Sequence, residues 1–376
     1  MQTTPFTIQV PQATLDDLAL RLSRVRLPDS PANAGWSLGT DLAFMRRLVE
    51  HWRTKYDFRR HEAYLNTLPQ FTSNVKGVRL HFVHVRGKGA NPTPLLLLHG
   101  WPDSFYRYHK VIERLTDPAK FGGAPEQSFD VVVPSLPGFG FSDRTALATG
   151  ASAELMLELM RGLGYAQFAA AGGDLGSTIA MALSQKSPEA LLGIHVSDVG
   201  YPDGTTDFAS LSPPELEFAN FVQGWWMREG AFNMVQSTKP QSLAFALTDS
   251  PVGLAAWMLS MMASGSPEKL EERLPLDELI TNIMLYWVTE TAASSMRVYA
   301  ENAQALYANP SAAQPPRSQV KAAVIHMPDD APLPREWAER KVNVARFTEM
   351  PRGGHFAAWE EPVAYATDLH AFAQIL

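Results

Sequence analysis

The stretch 168-FAAAGGDLGSTIA-180 carries a short apolar run into a Gly-Gly-Asp-x-Gly turn and then into residues that continue as a helix. A short apolar run closed by glycines predicts a buried strand. The tight strand-to-helix turn that follows holds one side chain proud of the backbone, the arrangement in which many hydrolases carry a serine between glycines. Here Asp174 has the flanks Gly172 and Gly176. The helix start sets partial positive charge near the carboxylate and favours its ionised form. Aspartate is also a favoured helix cap, so this stretch by itself supports both a nucleophile and a cap.

Working outward, VRLHFVHV (78–85), PLLLLHG (94–100), FDVVVPSL (129–136), LLGIHVSD (191–198), KAAVIHMP (321–328) and NVARFTEMP (343–351) are further strand candidates. Such runs separated by helical segments predict an α/β fold, a mostly parallel sheet with helices on both faces. Before residue 78 the chain has helical periodicity and no strand signal. A helix is predicted from the capping box at Thr14–Asp17, stopped by Pro28, and residues 36–71 form an aromatic and arginine-rich extension that wraps another part of the molecule. Between about 200 and 305 helical segments rich in Trp, Met, Leu and Ala replace the strands, and 308-ANPSAAQPPRSQ-319 is a Pro- and Ala-rich connector back to the sheet. The division expected is a helical extension (1–75), a first core part (76–199), an inserted helical lid (200–308) and a second core part (309–376).

With 376 residues, 45% of them hydrophobic, the chain is long enough for a large core. The net charge of −7 comes from dispersed residues, which argues against nucleic acid as a partner. The absence of cysteine excludes disulfides, thiolate metal sites and cysteine nucleophiles, and makes the cytoplasm the default expectation. MQTTPFTIQVPQ lacks the basic and apolar regions of a secretion signal. The longest apolar run, 251–265, is broken by Pro and Gly and is shorter than a membrane span needs, so a buried helix or a pocket wall is expected there.

In open parallel sheets ligands bind beyond the carboxyl ends of the strands. Polar residues there are His99-Gly100-Trp101-Pro102, Asp174, Asp329 and Asp330, and His355 in 352-RGGHFAAWEEP-362. Their order is nucleophile, acid, base, with either aspartate of MPDDAP able to orient the histidine. The backbone amides of Trp101 and Leu175 are candidates for an oxyanion hole.

Together with RLPDS, YDFRRHEAYLNTLPQF, HFVHVRG, LLLLHGWPDSF, VVVPSLPGFGFS, TKPQSLAFALTDSPVGLAAW and TNIMLYW, these motifs resemble, over nearly the whole chain, the epoxide hydrolases of the α/β-hydrolase superfamily, in the branch with an N-terminal helical extension related to microsomal and juvenile-hormone epoxide hydrolases. The resemblance implies Asp174 as nucleophile, His355 as base, Asp330 rather than Asp329 as acid, and Asp198 as a fallback acid. It also implies two lid tyrosines that grip the epoxide oxygen. One corresponds to Tyr299, but the other position is Phe232 and lacks the hydroxyl. Asp103, where the family usually has Gly, and Leu175 also depart from the pattern, and are expected to alter pocket shape more than mechanism.

The implied reaction turns a lipophilic epoxide and water into a vicinal diol through an aspartyl ester, without metal or cofactor. Phe232, Trp101 and Pro102 are expected in the substrate pocket, and Trp225, Trp226, Met227, Trp257, Met258, Met261 and Met262 give the lid its apolar character. Neither a membrane anchor nor nucleic-acid binding is expected, while a homo-oligomer is compatible with the sequence. The competing readings are a dehalogenase-type hydrolase using the same aspartate and a binding protein that uses the lid pocket for a hydrophobic ligand.

Overall fold

A nine-stranded sheet runs through the computed structural model, which describes residues 1–309 and 316–376. The strands are β1 (Thr4–Phe6), β2 (Gln70–Val75), β3 (Val78–Val85), β4 (Thr93–Leu98), β5 (Phe129–Pro134), β6 (Phe168–Gly172), β7 (Leu191–Val196), β8 (Lys321–His326) and β9 (Asn343–Glu349). Their spatial order is β1-β2-β3-β5-β4-β6-β7-β8-β9. Pairings from β1 to β5 through β3 are antiparallel, and all those from β5 to β9 are parallel. Every residue of β5 and β6 is buried, because helices cover both faces and leave no side for polar alternation.

The sheet starts earlier than the sequence suggests. β2, QFTSNV, is too polar to register as an apolar run, yet it pairs with β3 through a two-residue turn. Lys76 and Gly77 both have positive φ there, 50° and 85°, as hairpin turns matched to strand twist require. The first helix also starts before the Thr14 capping box: it spans Gln12–Ser23, with Pro11 at its cap and no side-chain cap bond.

The helices Gln12–Ser23, Leu42–Thr54 and Phe58–Leu65 of the extension reach the helices between residues 213 and 308. Arg21 pairs with Asp249 at 2.9 Å, Arg47 with Glu271 at 2.9 Å and His51 with Asp277 at 2.6 Å. Among the described residues from 200 to 309 there is no strand. Three α-helices in this region begin with proline at their first turn, Pro213, Pro240 and Pro251, where its missing N–H has no helical partner to lose. The apolar run at 251 forms the helix Pro251–Met262. No helix among the described residues is long and apolar enough to cross a membrane. The connector read at 308–319 lies outside the described residues over 310–315.

Candidate active site

Five parallel strands deliver their following residues to one edge of the sheet. His99 to Pro102 follow β4, Asp174 follows β6, Asp198 follows β7, Asp329 and Asp330 follow β8, and His355 follows β9. Register does the fine placement: Leu98 is opposite Gly172, and Gly172 is opposite Val196, so the three central loops are neighbours.

Asp174 stands on a strained turn, with φ 56° and ψ −130°, a region that costs a non-glycine residue about 1–3 kcal/mol. The glycines around it provide clearance. A Cβ on Gly176 would lie 1.9 Å from the Leu98 carbonyl oxygen, and one on Gly100 would lie 2.2 Å from Asp174 Oδ1. The carboxylate is held on both sides. Oδ1 accepts the amides of Trp101 at 2.9 Å and Leu175 at 2.7 Å. Oδ2 lies 3.3 Å from His355 Nε2.

On the far side of the imidazole, His355 Nδ1 is 3.1 Å from Asp330 Oδ2, while Asp330 Oδ1 accepts the Ala331 amide at 2.8 Å. Burial disfavours the imidazolium, but the carboxylates of Asp330 and Asp174 outweigh it and hold His355 well above the ordinary histidine value. Burial likewise opposes ionisation of Asp330, and His355 pulls its value below the usual carboxylate range. Asp329 takes a different direction, pairing with Lys269 at 2.8 Å. Asp198 accepts the Asp174 amide at 3.0 Å, and burial together with the Asp174 charge raises its carboxyl to about 6.

Asp174 occupies the cap position of the helix Leu175–Lys186, with a geometry unlike that of an ordinary cap. A capping aspartate has extended backbone and accepts the second or third amide of its helix. Asp174 has neither feature: it accepts the first helical amide and a second amide from another loop.

Above Asp174, Asp330 and His355 is a cavity of about 580 Å³. Trp101, Pro102, Leu175, Phe232 and Tyr299 all line it, and Tyr299 is edge-on to both Trp101 (6.3 Å) and Phe232 (6.1 Å). Of the apolar lid residues singled out in the sequence, Trp225, Trp226, Met261 and Met262 face this space. Met227 points outward and is 84% exposed, Met258 is fully buried, and Trp257 bonds to Gln236 at 3.0 Å. Burial first, and then the Asp174 charge, keep the Tyr299 phenol protonated far above its ordinary range.

Asp103 corrects an expectation. It is fully buried behind the Trp101 loop and does not line the cavity, so it does not shape the pocket directly. Its partner, Arg107, was not singled out in the sequence. The signal available was the four-residue spacing of opposite charges in DSFYR. Tyr201, a second phenol on the cavity wall from the loop after β7, was also missed.

Comparison with known proteins agrees with this architecture. Residues 3–108 match the family described as "Epoxide hydrolase N terminus", and residues 93–362 match the "alpha/beta hydrolase fold" family. The chain is 33% identical to "Epoxide hydrolase 1" of Sus scrofa, over 99% of this chain and 88% of that protein. The crystal structure of juvenile hormone epoxide hydrolase from the silkworm Bombyx mori superposes with a TM-score of 0.88 at 29% identity, covering 99% of this chain and 94% of that one. The Aspergillus niger epoxide hydrolase structure gives a TM-score of 0.86 at 28% identity, covering 100% and 97% of the two chains.

Proposed function

Because the chain belongs to the epoxide hydrolase family of the α/β-hydrolase superfamily, we propose that it converts a lipophilic epoxide into a vicinal diol through an ester of Asp174. The observation that carries this reading is the double hold on one carboxylate, two amides on Oδ1 and an imidazole facing Oδ2.

An epoxide carbon is an sp³ electrophile that an ionised carboxylate attacks without first losing a proton. A bond forms from an Asp174 oxygen to that carbon, the ring C–O bond breaks, and the released alkoxide takes a proton from the Tyr299 hydroxyl. The resting imidazolium of His355 returns a proton to Tyr299 through water and becomes neutral. Loss of the Asp174 charge on esterification favours this release, since that charge helps to hold the proton on His355. A serine at this position would leave an ether with no carbonyl to attack, whereas the aspartyl ester offers one.

In the second half, neutral His355 takes a proton from water, and the hydroxide adds to the Asp174 carbonyl carbon. The amides of Trp101 and Leu175 hold the oxyanion, and Asp330 stabilises the imidazolium. Collapse breaks the acyl C–O bond and the departing diol oxygen takes the histidine proton. The carboxylic acid then returns a proton to His355, restoring the resting pair.

Replacement His355→Gln removes the base but not the nucleophile. On mixing with a panel of aryl and alkyl epoxides it is expected to gain the mass of one substrate on the Asp174 peptide and to form no diol beyond one turnover. No adduct with any epoxide that the unaltered protein hydrolyses would refute the ester. Halide release from haloalkanes, without diol from epoxides, would move the reading to dehalogenation.

A further inference from the structure

Arg107 lies in the short turn Phe105–Tyr108 and is 1% exposed, yet it carries a full charge into the core beneath the catalytic loops. Its contacts are spread over three separate parts of the chain. Nη1 donates to Asp103 Oδ2 at 2.5 Å, and Asp103 Oδ1 accepts the Gly100 amide at 2.6 Å, next to the oxyanion donor Trp101. Nη2 donates to the His355 carbonyl at 2.7 Å, and the guanidinium sits 5.6 Å from the centre of the Phe356 ring. The third contact is with the residue before the nucleophile: a Cβ on Gly173 would lie 2.2 Å from Arg107 Nη2. Asp103 is itself anchored, because its carbonyl accepts the Tyr286 hydroxyl at 2.6 Å.

A buried ion pair of this kind adds little stability over an apolar pair of similar volume, so stability does not account for it. Geometry does. The pair spans the loop that supplies an oxyanion donor and the loop that supplies the base, and these two must keep a fixed separation while water attacks the ester. We propose that Asp103 and Arg107 are positioning residues for ester hydrolysis, holding His355 at its working distance from the Trp101 and Leu175 amides. This inference rests on the two-step reading above. It goes beyond that reading because it assigns the pair to the step most sensitive to the base: in ring opening His355 only passes a proton on through water and the Trp101 amide is held by Asp174 itself at 2.9 Å, so that step tolerates a shift of the base loop that the attack of water on the ester does not.

The distinction has a kinetic signature. Slowing only the second step lowers kcat and KM by the same factor and leaves kcat/KM unchanged, since kcat/KM reports events up to ring opening. A merely structural defect reduces the number of working molecules, lowering kcat at constant KM, or loosens the whole site and lowers kcat/KM.

The test is steady-state and rapid-quench kinetics on the full chain with one good epoxide substrate. The variants are the paired replacement Asp103→Gly with Arg107→Met, which removes both charges together, and Arg107→Lys. Misplacement of a catalytic group by an ångström costs up to about 100-fold. The paired variant is therefore expected to lose about 10–100-fold in kcat and in KM alike, with the Asp174 ester accumulating in the steady state. Arg107→Lys keeps the charge but one nitrogen cannot serve both Asp103 and the His355 carbonyl, so a smaller parallel fall is expected. If the paired variant does not fold, the Lys variant decides by the same ratio. A fall in kcat at constant KM, a matching fall in kcat/KM, or unchanged kcat would overturn the inference. Absence of diol and ester with the unaltered protein would instead refute the two-step reading itself.

Discussion

Asp174 and Asp198 are neighbouring carboxylates in different situations. Asp174 accepts two amides and faces an imidazole. Asp198 accepts the Asp174 amide, and burial and the nearby Asp174 charge raise it to about 6 from 3.8. A carboxyl whose folded value is raised contributes stability that is complete below its unfolded value and is lost as pH rises through its folded value. Replacement Asp198→Asn removes that loss while keeping an acceptor for the Asp174 amide. It is expected to raise the melting temperature by roughly 2–5 °C near pH 8 and to change it little near pH 4. An equal shift at both pH values would contradict this. At this scale the placement of single residues was readable: Asp174 at a strand-to-helix turn from its glycine flanks, His355 from its loop, and the pair Asp329 and Asp330 from the strand before them. Choosing between those two aspartates from the residues alone was not possible, because the choice depends on Lys269, some 60 positions away, drawing Asp329 aside. Asp103 was misread for a similar reason. Its direction is decided by Arg107 and the Gly100 amide, both on the inner side of the loop.

Two lid helices, Ala231–Thr238 and Ala292–Ala308, bring Phe232 and Tyr299 to the cavity with their rings edge-on at 6.1 Å. In the proposed reaction, a hydroxyl on the Phe232 ring would add a donor beside Tyr299 at the oxygen released by ring opening. One hydrogen bond to a charged group is worth about 1.5–3 kcal/mol, or roughly 10–100-fold in rate. The variant Phe232→Tyr is expected to raise the single-turnover rate of ring opening toward that range on unactivated epoxides. No gain on any epoxide would mean that Tyr299, or Tyr201 on the same wall, already supplies what the reaction needs. Elements with unbroken apolar runs were legible, since a strand covered on both faces leaves no other pattern. The polar strand β2 was not, because its stability comes from the Lys76–Gly77 turn and from pairing on both of its edges. Nor did helical spacing distinguish Met261, which faces the cavity, from Met258, which is packed in the core.

Across the whole molecule, the sheet sets five loops along one edge, the inserted helices roof them, and the N-terminal extension holds that roof through pairs such as Arg21 with Asp249 and His51 with Asp277. The cavity of about 580 Å³ has the size of a small-molecule site. That the extension wraps something was legible in its periodicity, but its target was not, because those contacts join residues more than 200 positions apart. The order of motifs along the chain was the strongest global signal, since it matched one topology from end to end. The proposed route runs through a covalent bond to Asp174, and a single turnover in heavy-oxygen water, with protein in excess over epoxide, examines that bond directly. The ester route predicts one heavy oxygen in the Asp174 carboxyl, found by mass analysis of its peptide, and a first-turnover diol without label. Label in the diol and none in Asp174 would mean that water attacks the epoxide itself, and would contradict the covalent route.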